Sequence, residues 1–245
     1  MKTLVTILLC LAIPATGMSS GAMRFDGVDD YIALNNTIYS QNNAMTLSAW
    51  FRTDSSSTTQ RVFARGIGSN DFTLQIFSNG IRGIVGGNGG GQVVGSSASI
   101  SSDTWYHVAL VFDGVTLDLY LNGALKHSDP AVTTTATTAQ NSTIGARTNF
   151  GEKFAGQIAE VLIYNKTLSG PDIEAMYASS GAWHSKGGLI SRWSMENNGI
   201  STGQAHLNGS TVKDSFGGND GTISDGADNS MILESSPTRK KRGRR

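Results

Sequence analysis

Aromatic and polar side chains that can hold a ligand recur on the strand-like segments of this sequence. Alternation of apolar and polar residues predicts that six of them share one outward sheet face: Trp50, Arg52, Gln75, His107, Asp118 and Tyr120. Flat rings stack on sugars or peptides, whereas arginine, glutamine and aspartate fix orientation by hydrogen bonds. The pattern predicts a surface that recognises a carbohydrate or a surface protein. The alternatives are that neighbouring loops bury the tryptophans, or that the site lies in the loops around 86–92 and 147–152.

The acidic residues do not show the spacing that glycoside hydrolysis requires. A retaining hydrolase needs two carboxylates about 5 Å apart, but Glu152, Glu160 and Glu174 stand in separate sequence contexts. Asp118 is a candidate acid or base near His107, yet no second carboxylate lies on its strand. The four histidines have no metal-ligand spacing, and no serine or histidine stands in a nucleophile motif. The sequence therefore predicts no catalytic residue, and a glycoside hydrolase is the remaining enzyme alternative.

Residues 103–128 are the stretch expected to position most of these side chains. Apolar residues occupy every second position there, and Asp113-Gly114 and Asn122-Gly123 are strong hairpin signals. A two-residue turn at Asp113-Gly114 pairs Phe112 with Val115 and directs His107, Asp118 and Tyr120 away from the core. A three-residue turn exchanges the two faces of one strand, so both registers remain open at this stage.

Composition and periodicity predict an all-β protein. The 245 residues include 30 glycines and only 4 prolines, and short strand-like segments alternate with turns. We expect a two-sheet antiparallel jelly-roll sandwich with one short C-terminal helix. Ser169 is the predicted N-cap of that helix, and Asp172 completes a capping box. Ile173, Met176 and Tyr177 would form its buried stripe over the open end of the sandwich.

The two ends of the chain differ from its body. Residues 1–17 have a positive start, an apolar run at 4–13 and small residues before Met18, which is typical of a signal peptide. The run of about ten residues is too short to span a bilayer, so we expect export without a transmembrane segment. Upstream of residue 239, 13 basic residues face 19 acidic ones, whereas 239–245 holds six basic residues. This tail is predicted to be disordered and to contact an anionic surface, without a specific nucleic-acid partner.

Four segments also resemble a known family. The segment TWYHVALVFDGVTLDLYLNG resembles the central hairpin of laminin G-like, concanavalin A-like jelly-roll domains. AMRFDGVDDYIAL at 22–34, AMTLSAWFRTD at 44–54 and FAGQIAEVLIYNKTLSGPDIEAMY at 154–177 fit the same family in the same order. The resemblance implies an exported, non-catalytic binding or adhesion module. The alternative is a structural component of a virion or cell surface, such as a decoration or fibre protein.

The resemblance also implies a structural calcium ion, but the sequence departs from the family at the usual ligand. Ala159 stands where the family pattern G-x-I-D-E-V offers an aspartate. Asp26, Asp29 and Asp30 remain as alternative ligands, although acidic residues in turns are often only turn formers. Calcium is therefore an expectation without an assigned ligand set.

The C-terminal part of the chain carries a displaced family motif. The family's lead-in strand is missing before residue 22, whereas ISRWSMENNG at 190–199 and VKDSFGGNDGTISDG at 212–226 resemble it. Either the order of strands is permuted, which we favour, or a second repeat is cut short. We therefore divide the chain into a jelly-roll domain at 18–182, an extension supplying a strand at 183–233, and a basic tail at 234–245.

Overall fold

The protein is described by a computed structural model at residues 21–35, 44–66, 72–87, 90–130, 141–148, 150–179, 187–195, 208–225 and 232–235. The strands are β1 Gly21–Asp26, β2 Tyr31–Leu34, β3 Met45–Thr53, β4 Gln60–Arg65, β5 Phe72–Phe77, β6 Gly80–Gly87, β7 Gly90–Ser99, β8 Trp105–Phe112, β9 Thr116–Leu121, β10 Ala124–Pro130, β11 Ser142–Ile144, β12 Ala155–Tyr164, β13 Leu189–Trp193, β14 Thr211–Val212, β15 Gly221–Ser224 and β16 Ile232–Ser235. The helix α1 is Gly170–Ala178.

Two antiparallel sheets form the sandwich. The first sheet has the order β10-β9-β8-β3-β12-β1-β16, and β13 also pairs with β12. The second sheet has the order β14-β15-β2-β11-β4-β5-β6-β7. The predicted all-β jelly-roll sandwich with one short helix is confirmed.

The main core lies between the two sheets and follows the sequence alternation. Inward-facing side chains such as Phe51 and Leu110 of the first sheet meet Phe63 and Leu74 of the second, and all four are fully buried. The layers approach closely at Gly83, where a Cβ atom would lie 2.1 Å from a methyl group of Leu110. Only a residue without a side chain fits this contact.

The central hairpin has a longer turn than the sequence predicts. Phe112 pairs with Leu117, not with Val115, because residues 113–115 form the connection. The Asp113 carboxylate accepts the backbone N–H groups of Val115 and Thr116, at 2.7 and 2.6 Å, and closes this loop. The predicted register was therefore wrong by two residues. Since side chains alternate with period two, the predicted faces are unchanged.

Helix α1 has the predicted start but a different packing partner. Ser169 caps it, and its capping box with Asp172 is confirmed. Ile173 and Met176 are buried in a cluster with outward-facing residues of β8, β9 and β12. The helix therefore covers the outward face of the first sheet, and the expected position over the open end of the sandwich was wrong.

The predicted extension contributes strands to both sheets. β13 pairs with residues 161–164 of β12, next to where β1 pairs with residues 155–158. Trp193 is fully buried in the main core, and its indole N–H donates to the carbonyl of Asn219 at 3.0 Å. β15 pairs with β2, and β16 pairs with β1. Residues 189–195 thus join the first sheet, while the choice between a permuted order and a truncated repeat stays a prediction.

A single aspartate organises the loop that follows β14. The Asp214 carboxylate accepts backbone N–H groups from four residues: Arg192, Phe216, Gly217 and Asn219. Although burial opposes it, these hydrogen bonds hold the pKa of Asp214 below its ordinary value. The loop is thereby fastened to β13.

The predicted signal peptide at 1–17 and the charged part of the tail lie outside the described residues. Within the described ranges, no helix has the length and apolar character needed to cross a membrane.

Candidate ligand-binding faces

The structure places five of the six predicted ligand residues on the outward face of the first sheet. Trp50 stands opposite His107 on neighbouring strands, and Arg52 lies two residues further along β3. Asp118 and Tyr120 continue the same face on β9. Gln75 lies on β5 of the second sheet. The prediction that all six share one surface was wrong, because β5 belongs to the opposite layer.

Helix α1 covers most of that outward face. Trp50, His107 and Tyr120 are 2%, 1% and 7% exposed. The ring of Tyr177 stacks on Trp50, with centroids 5.7 Å apart and 21° between the planes. These contacts make a second, smaller core between the helix and the sheet. That the six residues bind a ligand stays a prediction, but a ligand cannot reach Trp50 or His107 while α1 is docked.

His107 is held as a neutral, buried ring. Its Nε2 and Ser48 Oγ share a hydrogen bond of 2.8 Å, whereas Nδ1 has no hydrogen-bond partner within the described part of the chain. Burial lowers the pKa of His107 to about 3. A serine–histidine nucleophile needs a group that orients the second ring nitrogen and a serine that substrate can reach. Ser48 is 1% exposed, so this pair is a packing contact.

Arg52 marks the accessible edge of the same face. Its guanidinium donates to Gln157 Oε1 at 3.1 Å and to Asp103 Oδ1 at 2.7 Å, and about a third of the side chain is exposed. Deeper in the face, burial and the charge of Asp118 raise the pKa of Tyr120. Arg52 and Asp118 are therefore the two predicted residues on the first sheet that are only partly buried.

The outward face of the second sheet is polar and carries no helix in the described residues. Arg61, Gln75 and Arg82 stand opposite one another on β4, β5 and β6. Arg82 Nε donates to Gln75 Oε1 at 2.9 Å. The Arg82 guanidinium carbon lies 3.7 Å from the ring centroid of Phe77, which is 42% exposed. This cation–π contact leaves a flat aromatic surface beside fixed hydrogen-bonding groups.

Arg61, Arg82 and Phe77 were not among the ligand residues predicted from the sequence. A signal for Arg82 was present, because the inward positions Phe72, Leu74 and Ile76 force Gln75 outward, and the hairpin at Ser78-Asn79 then directs Arg82 to the same side. Arg61 is the neighbour of Gln75 on the adjacent strand of the same sheet. No local sequence signal predicted its position, because a bulge interrupts the register of β4.

The loop at 147–152 folds onto this face. The Glu152 carboxylate binds Arg61 Nε and also lies 3.8 Å from Arg147 Nη1. Phe150 and Glu152 have φ values of 64° and 50°, in the left-handed region that non-glycine residues rarely occupy. Such strained positions concentrate at functional sites. This loop is one of the two alternative sites predicted from the sequence. Most of the other one, 86–92, belongs to strands β6 and β7.

The arginines of this face act on one another. Burial lowers the pKa of Arg82 most, the charge of Arg61 lowers it further, and Glu152 opposes both effects. We call Arg61, Arg82, Arg147 and Glu152 the arginine patch. Three guanidinium groups surround one carboxylate, so the patch is positive.

An aromatic platform lies beside the loop. The rings of Tyr31 and Phe150 stack with centroids 4.6 Å apart, and Phe150 is 51% exposed. The ammonium group of Lys153 lies 4.1 Å from the centroid of Tyr31 and donates to the carbonyl of Asp29 at 2.9 Å. Lys153 thus links the platform to the turn after β1.

That turn holds the acidic residues considered for calcium. One oxygen of each of Asp26, Asp29 and Asp30 lies within 4.8 Å of the others. Asp29 Oδ1 is buried with no hydrogen-bond partner in the described ranges. Carboxylate oxygens at this spacing fit a hard cation such as calcium. A bound calcium ion would supply positive charge that holds the three carboxylates, and with them the turn, together. Burial lowers the pKa of Lys153, and the charges of the same three carboxylates partly offset this effect. The Lys153 ammonium is thus a cation that these carboxylates face. Ala159 is fully buried beside Trp50 and offers no ligand.

The glutamates remain apart in the fold. Glu160 is 1% exposed and forms two hydrogen bonds with Arg192, at 3.0 and 2.9 Å. Glu174 is exposed on α1, and Glu152 lies on the loop of the second sheet. These three glutamates therefore do not form the carboxylate pair of a glycoside hydrolase.

Two facing antiparallel sheets, one of them with a polar outward face, define a jelly-roll protein of the lectin type. A laminin G-type family model of the concanavalin A-like lectin/glucanases superfamily matches residues 26–174. The chain belongs to this superfamily, as its strand motifs led us to expect. No curated protein matches the chain in sequence.

Solved structures share the fold at low sequence identity. A putative carbohydrate-binding protein from Bacteroides ovatus superposes with a TM-score of 0.64 at 17% identity, covering 89% of this chain and 61% of that one. A heptameric pentraxin from Limulus polyphemus gives 0.57 at 15% identity, with 68% and 86% covered. The CBM40 domain of a Ruminococcus gnavus sialidase, bound to α2,3-sialyllactose, gives 0.51 at 18% identity, with 64% and 96% covered. These identities establish a common fold alone.

Proposed function

We propose that this protein is a non-catalytic module that binds carbohydrate on the outward face of its second sheet. The observation that carries the proposal is the exposed Phe77 ring under Arg82, with Gln75 held beside it. An exposed ring stacks on the apolar face of a sugar, while the guanidinium of Arg82 binds its hydroxyls. Gln75 is 1% exposed, and its role is to hold that guanidinium in place. The corresponding face of the first sheet is covered by α1.

The structural neighbours support a binding role without specifying a ligand. One of them is described as a putative carbohydrate-binding protein, and another is a carbohydrate-binding domain seen with a sialylated sugar. A fold by itself hosts many activities, so the proposal depends on the site.

A glycan array tests the proposal directly. Phe77→Ala and Arg82→Ala should each weaken binding of any recognised glycan by about tenfold or more, the range expected for removing a stacking or charge-assisted contact. Val115→Ala is the matched control, because Val115 is 67% exposed on the β8–β9 turn of the first sheet and should leave binding unchanged. Binding that survives both Phe77→Ala and Arg82→Ala would move the site elsewhere. Self-association without glycan binding would favour the structural alternative.

We further propose that the protein is exported and that its basic tail contacts an anionic surface. Support comes from the apolar run at 4–13 and from the six basic residues at 239–245. Mass spectrometry of the secreted chain should give a mature protein that begins near Met18. Binding to anionic lipid vesicles should fall with added salt and disappear when residues 239–245, which follow strand β16, are deleted. Retention in the cell with Met1 intact would contradict the proposed export. Vesicle binding that does not depend on salt would contradict the proposed role of the tail.

A further inference from the structure

We propose that the preferred ligand of the second-sheet face is an acidic saccharide, whose anionic substituent binds at the arginine patch. This inference rests on the proposed carbohydrate-binding function and adds the chemical class of the ligand. It follows from three features of the described residues: the charge of the patch, a spare buried donor, and the accessibility of two of its arginines.

The charge of the patch is opposite to that of the chain around it. Arg61, Arg82 and Arg147 surround the single carboxylate of Glu152, which leaves two positive charges in excess among these four residues. Upstream of residue 239, the chain as a whole is acidic, with 13 basic against 19 acidic residues, the patch included. A local positive patch on an acidic protein raises the local concentration of anionic ligands. Neutral ligands gain no such attraction.

The hydrogen-bonding capacity of the patch is not used up by Glu152. Arg61 is 4% exposed, and its Nη1 is buried with no hydrogen-bond partner in the described part of the chain. A buried donor without a partner costs free energy that an anionic acceptor recovers. Glu152 engages Nε of Arg61, so the guanidinium keeps one side for another acceptor.

Two arginines of the patch are within reach of a ligand. Arg147 is 32% exposed and touches Glu152 only at 3.8 Å, beyond an ordinary hydrogen bond. Arg82 is partly exposed, its Nε donates to Gln75, and its guanidinium carbon lies 3.7 Å from the centroid of the Phe77 ring. A planar guanidinium held in this way presents two parallel donors, which matches a carboxylate or a sulfate ester. Phe77, beside Arg82, then offers its exposed ring to the sugar.

Paired glycans give the test. The full-length protein is measured against an array in which each acidic glycan stands beside its neutral parent, for example 3′-sialyllactose and 3′-sulfolactose beside lactose. Binding to acidic glycans should be at least about tenfold tighter than to their neutral parents, as expected for one charge-assisted contact, and should weaken with salt. The carboxylate and sulfate arms identify which substituent the patch prefers.

Charge-removing variants connect that preference to the patch. Arg82→Gln combined with Arg147→Gln should abolish the preference while the melting temperature stays close to that of the parent protein, because both side chains are partly exposed. Arg24→Gln is the control, since Arg24 has a similar exposure of 34% and pairs with Asp54 on the first sheet. The Arg24 variant should keep the preference.

The outcomes separate this inference from the proposed function. Equal binding of acidic glycans and neutral parents would overturn the inference and leave carbohydrate binding intact. An acidic preference that persists in the double variant would also overturn it and point to the basic tail. Absence of binding to every glycan would overturn the proposed function together with the inference.

Discussion

The buried imidazole of His107 makes the stability of the protein depend on pH in a defined window. Its pKa is about 3 in the folded protein against an ordinary value of 6.5. Between these values the unfolded chain binds a proton that the folded chain does not bind. Stability is therefore full above pH 6.5 and is lost progressively as the pH falls toward 3.

The expected size of the effect follows from linkage. Lowering the pH from 7 to 5 should reduce the free energy of unfolding by about 2 kcal/mol through His107 alone. The cause is structural. Trp50 and Tyr177 cover the ring, and Ser48 engages only one nitrogen. If Nδ1 were protonated, its N–H would find no hydrogen-bond acceptor among the described residues. Asp214, whose pKa lies below its ordinary value of 3.8, loses its contribution only at lower pH.

Urea unfolding monitored by tryptophan fluorescence at pH 7, 6 and 5 measures this loss. His107→Gln removes the titrating imidazole and keeps an amide that can reach Ser48. Between pH 7 and 5, the free energy of unfolding of this variant should fall by about 2 kcal/mol less than that of the parent protein. His127→Gln is the control, because His127 is exposed on β10 and should retain the pH dependence of the parent protein. An unchanged pH dependence in His107→Gln would refute the claim that α1 keeps this ring neutral.

Two further predictions concern a buried residue on the outward face of the first sheet and the C-terminal strands that complete both sheets. Trp50→Ala should lower the free energy of unfolding by about 3–5 kcal/mol in urea, because Trp50 is 2% exposed, whereas the partly exposed Trp105→Ala should cost less. Deleting residues 188–245 should give an insoluble protein, since it removes Trp193 from the core and uncovers the edges of β1, β2 and β12. A soluble, monomeric truncation on size-exclusion chromatography would show that these strands are dispensable.

Local sequence signals were sufficient for the elements and their faces. Alternation placed Trp50 and His107 outward from the main core, because side chains on a strand change sides at every residue. Ser169 and Asp172 predicted the start of α1 since capping depends on residues only three positions apart. The two residues Asn122 and Gly123, with φ of 51° and 77°, form the predicted turn between β9 and β10. The longer loop at Asp113 was missed because the same dipeptide suits turns of different length.

The location of the accessible face was decided by tertiary structure alone. Nothing local in the sequence tells on which surface α1 packs, yet that packing buries Trp50. Gln75, on the outward face of the other sheet, is itself only 1% exposed, so the partly exposed Arg82 and Phe77 beside it form the accessible part of that face. Arg61 and Glu152 meet across 91 positions of sequence, and only the closed sandwich brings them together. Periodicity determines which side of a strand a residue occupies, whereas solvent access depends on the element that later packs against that side.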